Sequence, residues 1–327
     1  MLGQKKGLVD WLRRYGGLQL SLIVMVAAMV VTPARAKITF SFNYKDANGV
    51  GFNDATHGAA RKVALEQTGV LLSNLFPAYT ATIIMDVDGA VTEDGVLAGA
   101  STNFSSTAAA ACVAGYNRGD VGIKVLGGQD PAPTKADGSV TVNFEDHQWD
   151  LDDDVDANKM DFKSTMLHEL LHAMGFAHSV NQNGSDGCGK TAPTAGGWSP
   201  YDKHLGNTTE NFINASYVID TSSWNAAVTN GTGNAGVLWR GTSAMAANSG
   251  SPIPLYSPTT YSSGSSISHL DDDYYDKKNL LMESATGEGP GVRTLSAIEK
   301  GMMKDIGFAS TDISKINMIS VIFLLLK

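Results

Sequence analysis

Residues 168–178 read HELLHAMGFAH and place three of the chain's seven histidines within one short stretch. Imidazole nitrogens are common zinc ligands, and two histidines four residues apart on a helix project from the same face. The spacing therefore predicts that His168 and His172 hold one metal ion, and that a turn at Gly175 brings His178 back as a third ligand. Three protein ligands leave the fourth position of a tetrahedral zinc ion open, which is typical of catalytic rather than structural sites.

Glu169 lies next to the first of these ligands, beside the predicted metal rather than on it. From there its carboxylate can take a proton from a water that zinc activates, and it can pass that proton to the amine that leaves a broken peptide bond. We therefore expect Glu169 to act as a general base in hydrolysis. The alternative for the whole stretch is a helix whose histidines cap it or line its core.

The stretch fits the pattern HExxHxxGxxH and so resembles the signature of the metzincin metallopeptidases. The resemblance implies the roles already given to the three histidines, to Glu169 as general base and to Gly175 as the structural turn. It also implies a methionine turn beneath the metal, and NLLMESATGEGPG (279–291) offers Met282 for that position. A protein or peptide substrate is the partner that the resemblance implies.

The subfamily within the metzincins stays open, because the sequence combines features of several. Ser179 follows the third histidine, as in matrixins, yet roughly a hundred residues separate His178 from Met282. Astacins and serralysins have a tyrosine two residues after the turn methionine, where this chain has Ser284. A long stretch before the methionine turn looks more like the leishmanolysin-type enzymes, which interrupt the motif itself.

The elements that must position these residues can be placed by hydrophobic periodicity and capping signals. Asp161 caps the helix that carries the motif, and Ser296 with Glu299 forms a capping box for a final helix over 294–308. Strands are predicted at 37–44, 81–87 and 140–144, weaker ones at 95–100 and 121–126, and a long helix at 55–75. This order favours an α+β, metzincin-like fold: a twisted, mostly parallel sheet, two long helices above the cleft and a loop-rich lower subdomain with a C-terminal helix.

The chain is expected to consist of four segments. They are a signal peptide (1–36), an N-terminal catalytic subdomain with the zinc helix (37–178), a C-terminal catalytic subdomain with a loop-rich excursion and the methionine turn (179–313), and an apolar tail of unknown role (314–327). A basic start, a short apolar core and the triplet Ala34-Arg35-Ala36 predict cleavage after about Ala36. The apolar core is too short for a membrane anchor, so we expect a secreted mature chain without stable membrane insertion.

Export makes a disulfide between Cys112 and Cys188 possible, and two unrelated buried thiols are the alternative. The formal net charge is -9 and no long basic run is present, which argues against nucleic acid as a partner. The aspartates of WDLDDDVDAN (149–158) suit calcium or a solvated loop, although Val155 occupies the position where an EF-hand needs glycine. His269 precedes the predicted methionine turn and is either a structural hydrogen-bonding residue or a group that touches substrate or steadies the zinc.

The sequence thus predicts a secreted zinc endopeptidase whose substrate strand lies along the edge of the sheet. The first alternative is an exported, non-catalytic zinc-binding or adhesin module on the same scaffold, against which the intact Glu169 argues. A zinc aminopeptidase with a distant glutamate ligand is the second, and His178 at the third-ligand spacing argues against it.

Overall fold

The computed structural model describes residues 37–89, 95–107, 112–275 and 280–309. The predicted signal peptide (1–36) and the predicted apolar tail (314–327) lie outside these ranges, so both remain predictions. In the part of the chain that is described, no helix is both long and apolar enough to cross a membrane.

The described chain is a mixture of helices and strands. Its helices are α1 (Gly58–Leu75), α2 (Asp120–Gly127), α3 (Phe162–Ala173), α4 (Thr221–Ala227), α5 (Thr242–Ala247) and α6 (Ala297–Asp305). Its strands are β1 (Ile38–Tyr44), β2 (Ala81–Asp88), β3 (Ala98–Thr102), β4 (Gly115–Tyr116), β5 (Gly138–Val142), β6 (Trp149–Asp150), β7 (Met160–Asp161), β8 (Gly197–Trp198), β9 (Leu205–Gly206), β10 (Leu238–Trp239) and β11 (Ile253–Pro254). The long strands and the two longest helices come before residue 178, whereas the elements after it are short.

The main sheet has the strand order β1-β2-β5-β3. β1 pairs with β2, and β2 with β5, in parallel, while β3 pairs antiparallel with β5 and forms one edge. The residues of β2 and β5 that alternate towards the core, such as Met85, Val87 and Val140, are fully buried. This confirms the expected α+β class with a mostly parallel sheet, and it leaves one side of β3 free of a partner strand within the sheet.

Helix α3 carries the histidine motif and is buried on nearly every side. Asp161 caps its N-terminus by accepting a hydrogen bond from the Ser164 N–H at 3.0 Å, as the sequence predicted. The helix packs against α1 on one side and against the edge strand β3 on the other. Five apolar side chains of the helix and its end are all buried: Phe162, Met166, Leu170, Leu171 and Met174.

The strand predicted at 121–126 is wrong, because this segment is helix α2. Its buried apolar side chains, Val121 and Val125, are four residues apart, which is the spacing of one helix face rather than of a strand. Asp120 lies in its first turn, and Gly128 ends it with a left-handed φ of 66°. In VGIKVL the apolar residues alternate with Gly122 and Lys124, which resembles a strand pattern. In the helix these two residues do not lie on the solvent side of a strand.

The second half of the described chain is loop-rich and is built around buried tryptophans. Trp198, Trp224 and Trp239 are each at most 1% exposed, and β9, β10 and β11 form a small antiparallel sheet beside them. Cys112 and Cys188 form a disulfide, which confirms the predicted pairing. The bond ties the chain just before β4 to the loop that leads into β8, and β4 and β8 are themselves paired in parallel.

Candidate metal centre

Three imidazoles converge on one point between α3 and a later loop. The Nε2 atoms of His168 and His172 lie 2.9 Å apart, and the Nε2 atom of His269 lies 3.0 Å from the first and 3.1 Å from the second. His168 and His172 project from the same face of α3, as their spacing predicted. Among the described residues, these three are the group whose ligand atoms could share a metal ion.

Hydrogen bonds to backbone carbonyls determine which nitrogen of each ring faces the others. Nδ1 lies 2.6 Å from a carbonyl oxygen in all three rings, namely that of Leu281 for His168, Phe176 for His172 and Ser265 for His269. A carbonyl oxygen can only accept, so Nδ1 carries the proton and donates it. Each Nε2 therefore presents a lone pair to the other two, an arrangement that a shared cation stabilises.

The geometry of this trio fits a zinc ion or another ion that prefers imidazole. In a triangle with sides of about 3 Å the centre lies roughly 1.7 Å from each corner, so one point can lie about 2.0–2.1 Å from all three nitrogens, the usual zinc–nitrogen distance. Burial, together with the neighbouring His269, lowers the pKa of His168 to about 3, and burial lowers the pKa of His269 to about 4. The rings are thus neutral at neutral pH, which is the form that binds a metal.

The prediction for His178 must be corrected, because the third imidazole of the cluster belongs to His269. Gly175 turns the chain as expected, with a φ of 107°. The Phe176 N–H then bonds to the Leu171 carbonyl, and its own carbonyl receives the His172 ring. The chain is thereby held close to the helix end, and the His178 imidazole does not join the trio.

His178 instead lies outside the trio, in contact with Ser268 and Trp224. Its backbone N–H donates to the Ser268 hydroxyl at 3.3 Å, and its ring lies 6.4 Å from that of Trp224. Burial lowers the pKa of His178, while the buried carboxylate of Asp202 opposes that shift. The ring also hydrogen-bonds to the Ser266 backbone, so His178 contacts the segment that carries His269 through both its main chain and its side chain.

The segment of the predicted methionine turn contacts His168 on α3 and the backbone next to His269. The Leu281 carbonyl accepts from His168, and the Met282 carbonyl accepts from the N–H of Leu270 at 2.8 Å. Met282 is fully buried, and its role as the methionine of the turn stays a prediction. The position of His269 shortly before this turn was the one signal in the sequence for its role.

Glu169 is buried beside the trio, at the edge strand β3. Burial raises the pKa of its carboxyl group to about 8, while a hydrogen bond from the Ala100 N–H opposes that shift. Ala100 pairs with Val140 of β5 in the antiparallel register. The direction in which the Ala100 N–H points therefore decides where the Glu169 carboxylate lies relative to the sheet.

The hydrogen bonds that flank β3 settle this direction. The Leu97 carbonyl accepts from Asn143 at 2.9 Å, and the Asn103 N–H donates to Asp137 at 2.8 Å, so the odd-numbered residues face β5. In an antiparallel pair the alternate residues point their backbone groups the other way. Ala98, Ala100 and Thr102 thus direct their N–H and C=O groups to the free edge of the sheet, where Glu169 lies.

The aspartate-rich loop before α3 is bound by two cationic side chains. Asp153 accepts from Lys163 at 2.8 Å and from Arg293 at 2.6 Å, and Arg293 also donates to Asp161 at 2.9 Å. These contacts join the start of α3 to the chain that leads into α6. Calcium at this loop stays a prediction, and among the described residues the group whose ligand atoms could share an ion is the histidine trio.

No family model matches this chain, and no curated protein matches its sequence. The fold and the site therefore define only a broad class, a mixed α+β protein with a buried centre of three histidines.

Proposed function

We propose that this protein is an exported zinc-dependent endopeptidase that hydrolyses peptide bonds in proteins or peptides. The observation that carries the proposal is the trio of neutral imidazoles, whose Nε2 lone pairs face one another within 3.1 Å. Three nitrogen ligands without a thiolate are the ligand set of many catalytic zinc sites. The disulfide between Cys112 and Cys188 is in keeping with an oxidising compartment.

The free edge of β3 is the proposed docking site for the substrate backbone. An extended peptide can pair by strand addition with the outward backbone groups of Ala98 and Thr102 and with the Ala100 carbonyl, while the Ala100 N–H donates to Glu169. Its backbone would then run past Glu169 and the histidine trio, because α3 packs directly against β3. Val96 and Phe104, at the two ends of this edge, are 39% and 45% exposed and offer apolar contacts for substrate side chains.

Glu169 is the proposed proton carrier. Zinc, when bound, acts as a Lewis acid that activates water and polarises the carbonyl group of a peptide bond. A nearby cation favours the ionised carboxylate, so Glu169 would then be able to accept the proton of the attacking water. The same side chain would deliver that proton to the leaving amine, and the Ala100 N–H would keep the carboxylate at the sheet edge.

The order of the ligands along the chain adds to this proposal. Two histidines come from one helix and the third from a loop far along the chain, which resembles the interrupted motif of leishmanolysin-type metzincins. The Gly175 turn and the buried Met282 agree with the same resemblance.

A non-catalytic zinc-binding or adhesin module remains the second candidate. It is favoured by the burial of Glu169, which is 7% exposed and held by Ala100. A carboxyl group that stays protonated there would leave the metal without a base. The two candidates differ in turnover, not in metal content.

The test uses the full chain purified from a culture medium. Zinc content is measured by mass spectrometry, and digestion of casein is followed with and without a chelator and after zinc is added back. We expect one tightly bound zinc ion per chain and chelator-sensitive digestion. Glu169→Gln should keep the zinc and lose digestion, while Glu66→Gln, an exposed change on α1, should keep both. Zinc without any turnover in the unmodified chain would favour the binding module.

A further inference from the structure

His269 reaches the metal centre from a segment that folds back on itself. Its Nδ1 atom donates to the Ser265 carbonyl, four residues earlier, at 2.6 Å. Ile267 lies midway between the two and has a φ of 68°. This is the left-handed region, which a β-branched residue occupies only at a cost. The reversal at Ile267 is therefore what brings the Ser265 carbonyl to the His269 ring.

The surroundings of Ile267 hold it in this conformation. Its side chain is fully buried, and its N–H donates to the Tyr256 carbonyl at 2.8 Å. Its own carbonyl accepts from the hydroxyl of Tyr201 at 2.9 Å. Tyr256 in turn donates its N–H to the His269 carbonyl at 2.9 Å. Strained backbone persists only where neighbouring contacts fix it in this way, and such positions cluster at functional sites.

Tyr201 touches the supports of two different metal ligands. Its hydroxyl bonds to Ile267, and its ring meets that of Phe176 edge-on at 5.4 Å between centroids. The Phe176 carbonyl is the group that orients the His172 ring. Tyr201 itself is fully buried and packs against Trp239 with centroids 4.5 Å apart, so it has a fixed position from which to act.

We propose that Tyr201 and Ile267 are positioning residues of the metal centre. The Tyr201 hydroxyl holds Ile267 in the left-handed conformation, and that conformation aims Nε2 of His269 at the other two imidazoles. The inference rests on the proposed function in that it takes the trio to hold a metal ion. Neither residue contacts the ion, so both act through His269.

The first test compares Tyr201→Phe with Tyr79→Phe. Both changes remove a hydroxyl that donates to a backbone carbonyl, since Tyr79 donates to Gly307 at 3.3 Å on another part of the molecule. Zinc affinity is measured by competition with a chelator, cobalt(II) absorption reports the ligand geometry, and urea unfolding of the metal-free chain reports stability. We expect Tyr201→Phe to bind zinc about 10- to 100-fold more weakly and to shift the cobalt bands. Tyr79→Phe should change neither the zinc affinity nor the cobalt bands.

An unchanged zinc affinity and cobalt spectrum in folded Tyr201→Phe would overturn the proposal, because the hydroxyl would then contribute to stability alone. A second pair of variants tests the strained residue independently. Ile267→Gly and Ile267→Ala both remove the buried side chain, but only glycine adopts a left-handed φ without strain. We expect the glycine variant to bind zinc about tenfold more tightly than the alanine variant.

Tighter zinc binding by Ile267→Gly than by Ile267→Ala would be the reverse of the usual preference for alanine over glycine in folded chains. Equal affinities, or tighter binding by the alanine variant, would show that the conformation of Ile267 does not position His269. Absence of zinc binding in the unmodified chain would instead refute the metal centre itself. Failure of the inference and failure of the proposed function are thereby separated.

Discussion

The imidazole of His168 donates its Nδ1 proton to the carbonyl oxygen of Leu281, and the two atoms lie 2.6 Å apart. The next residue, Met282, accepts from the N–H of Leu270, which directly follows His269. One two-residue segment thus contacts His168 on α3 and the backbone beside His269, the member of the trio that comes from the loop. Because the carbonyl fixes the proton on Nδ1 of His168, it also fixes Nε2 as the atom that faces the other two imidazoles.

Glu299 connects this segment to the start of α6. Its carboxylate accepts from the N–H groups of Met282 at 2.8 Å and Ser296 at 2.7 Å. We expect Glu299→Ala to lower the free energy of unfolding by about 2–4 kcal/mol, since two N–H groups lose their acceptor. The zinc affinity should fall about tenfold, because the Leu281 carbonyl loses its support.

Ser296→Ala is the control variant for Glu299→Ala. The Ser296 hydroxyl accepts from the Glu299 N–H at 3.2 Å and completes the capping box. Its loss should cost about 1 kcal/mol in urea unfolding and leave the zinc affinity as it was. Equal zinc affinities of the Glu299 variant and the unmodified chain would show that the turn does not orient His168.

Asp161 stabilises α3 in two ways, because it caps the helix and accepts from Arg293 at 2.9 Å. Asp161→Ala should lower the free energy of unfolding by at least about 2 kcal/mol, as a cap and the partner of a largely buried guanidinium are lost together. Asp220 caps α4 through Ser222, and among the described residues its carboxylate is bound by neighbours within its own turn. Asp220→Ala should therefore cost about 1 kcal/mol, and an equal loss in both variants would contradict the contribution of Arg293.

The ion pairs of the aspartate-rich loop give a pH dependence. Hydrogen bonds from Lys163 and then Arg293 hold the pKa of Asp153 below its ordinary value. A carboxylate whose pKa is lower in the folded state contributes stability above its unfolded pKa of about 3.9, and the contribution disappears as the pH falls through the folded value. Asp153→Asn should therefore be less stable than the unmodified chain at pH 6.

Once the pH lies below the folded pKa of Asp153, the two chains should unfold at the same urea concentration, since Asp153 is then protonated in both states. The comparison uses the difference between the two chains, so acid effects shared by other groups cancel. A stability difference that stays constant from pH 6 to pH 3 would mean that the charge of Asp153 does not matter.

The parts of the site that local sequence determines were predictable. The Asp161 cap, the spacing of His168 and His172 and the capping box of α6 involve residues within one or two turns of one another. Local hydrogen bonds and side-chain directions decide such features, whatever the rest of the chain does. The same holds for β1 and β2, whose apolar residues alternate or run continuously.

The third ligand was not predictable in the same way. His269 lies about a hundred residues from α3 in the sequence, within a segment that has no helical or strand period. It reaches the trio through a left-handed turn at Ile267, a residue type that sequence rules do not place in such turns. His178 had the spacing of a ligand, but hydrogen bonds at Phe176 direct the chain elsewhere. Motif spacing predicted two members of the trio, and tertiary contacts selected the third.

The identity of the third ligand is the central claim, and the metal content of two variants tests it most directly. The purified chains of His269→Ala and His178→Ala are freed of loosely bound ions, and zinc per chain is measured by mass spectrometry, with circular dichroism to confirm folding. We expect His178→Ala to retain about one zinc ion and His269→Ala to lose it under the same chelator challenge. Retention of zinc by His269→Ala together with its loss from His178→Ala would contradict the account.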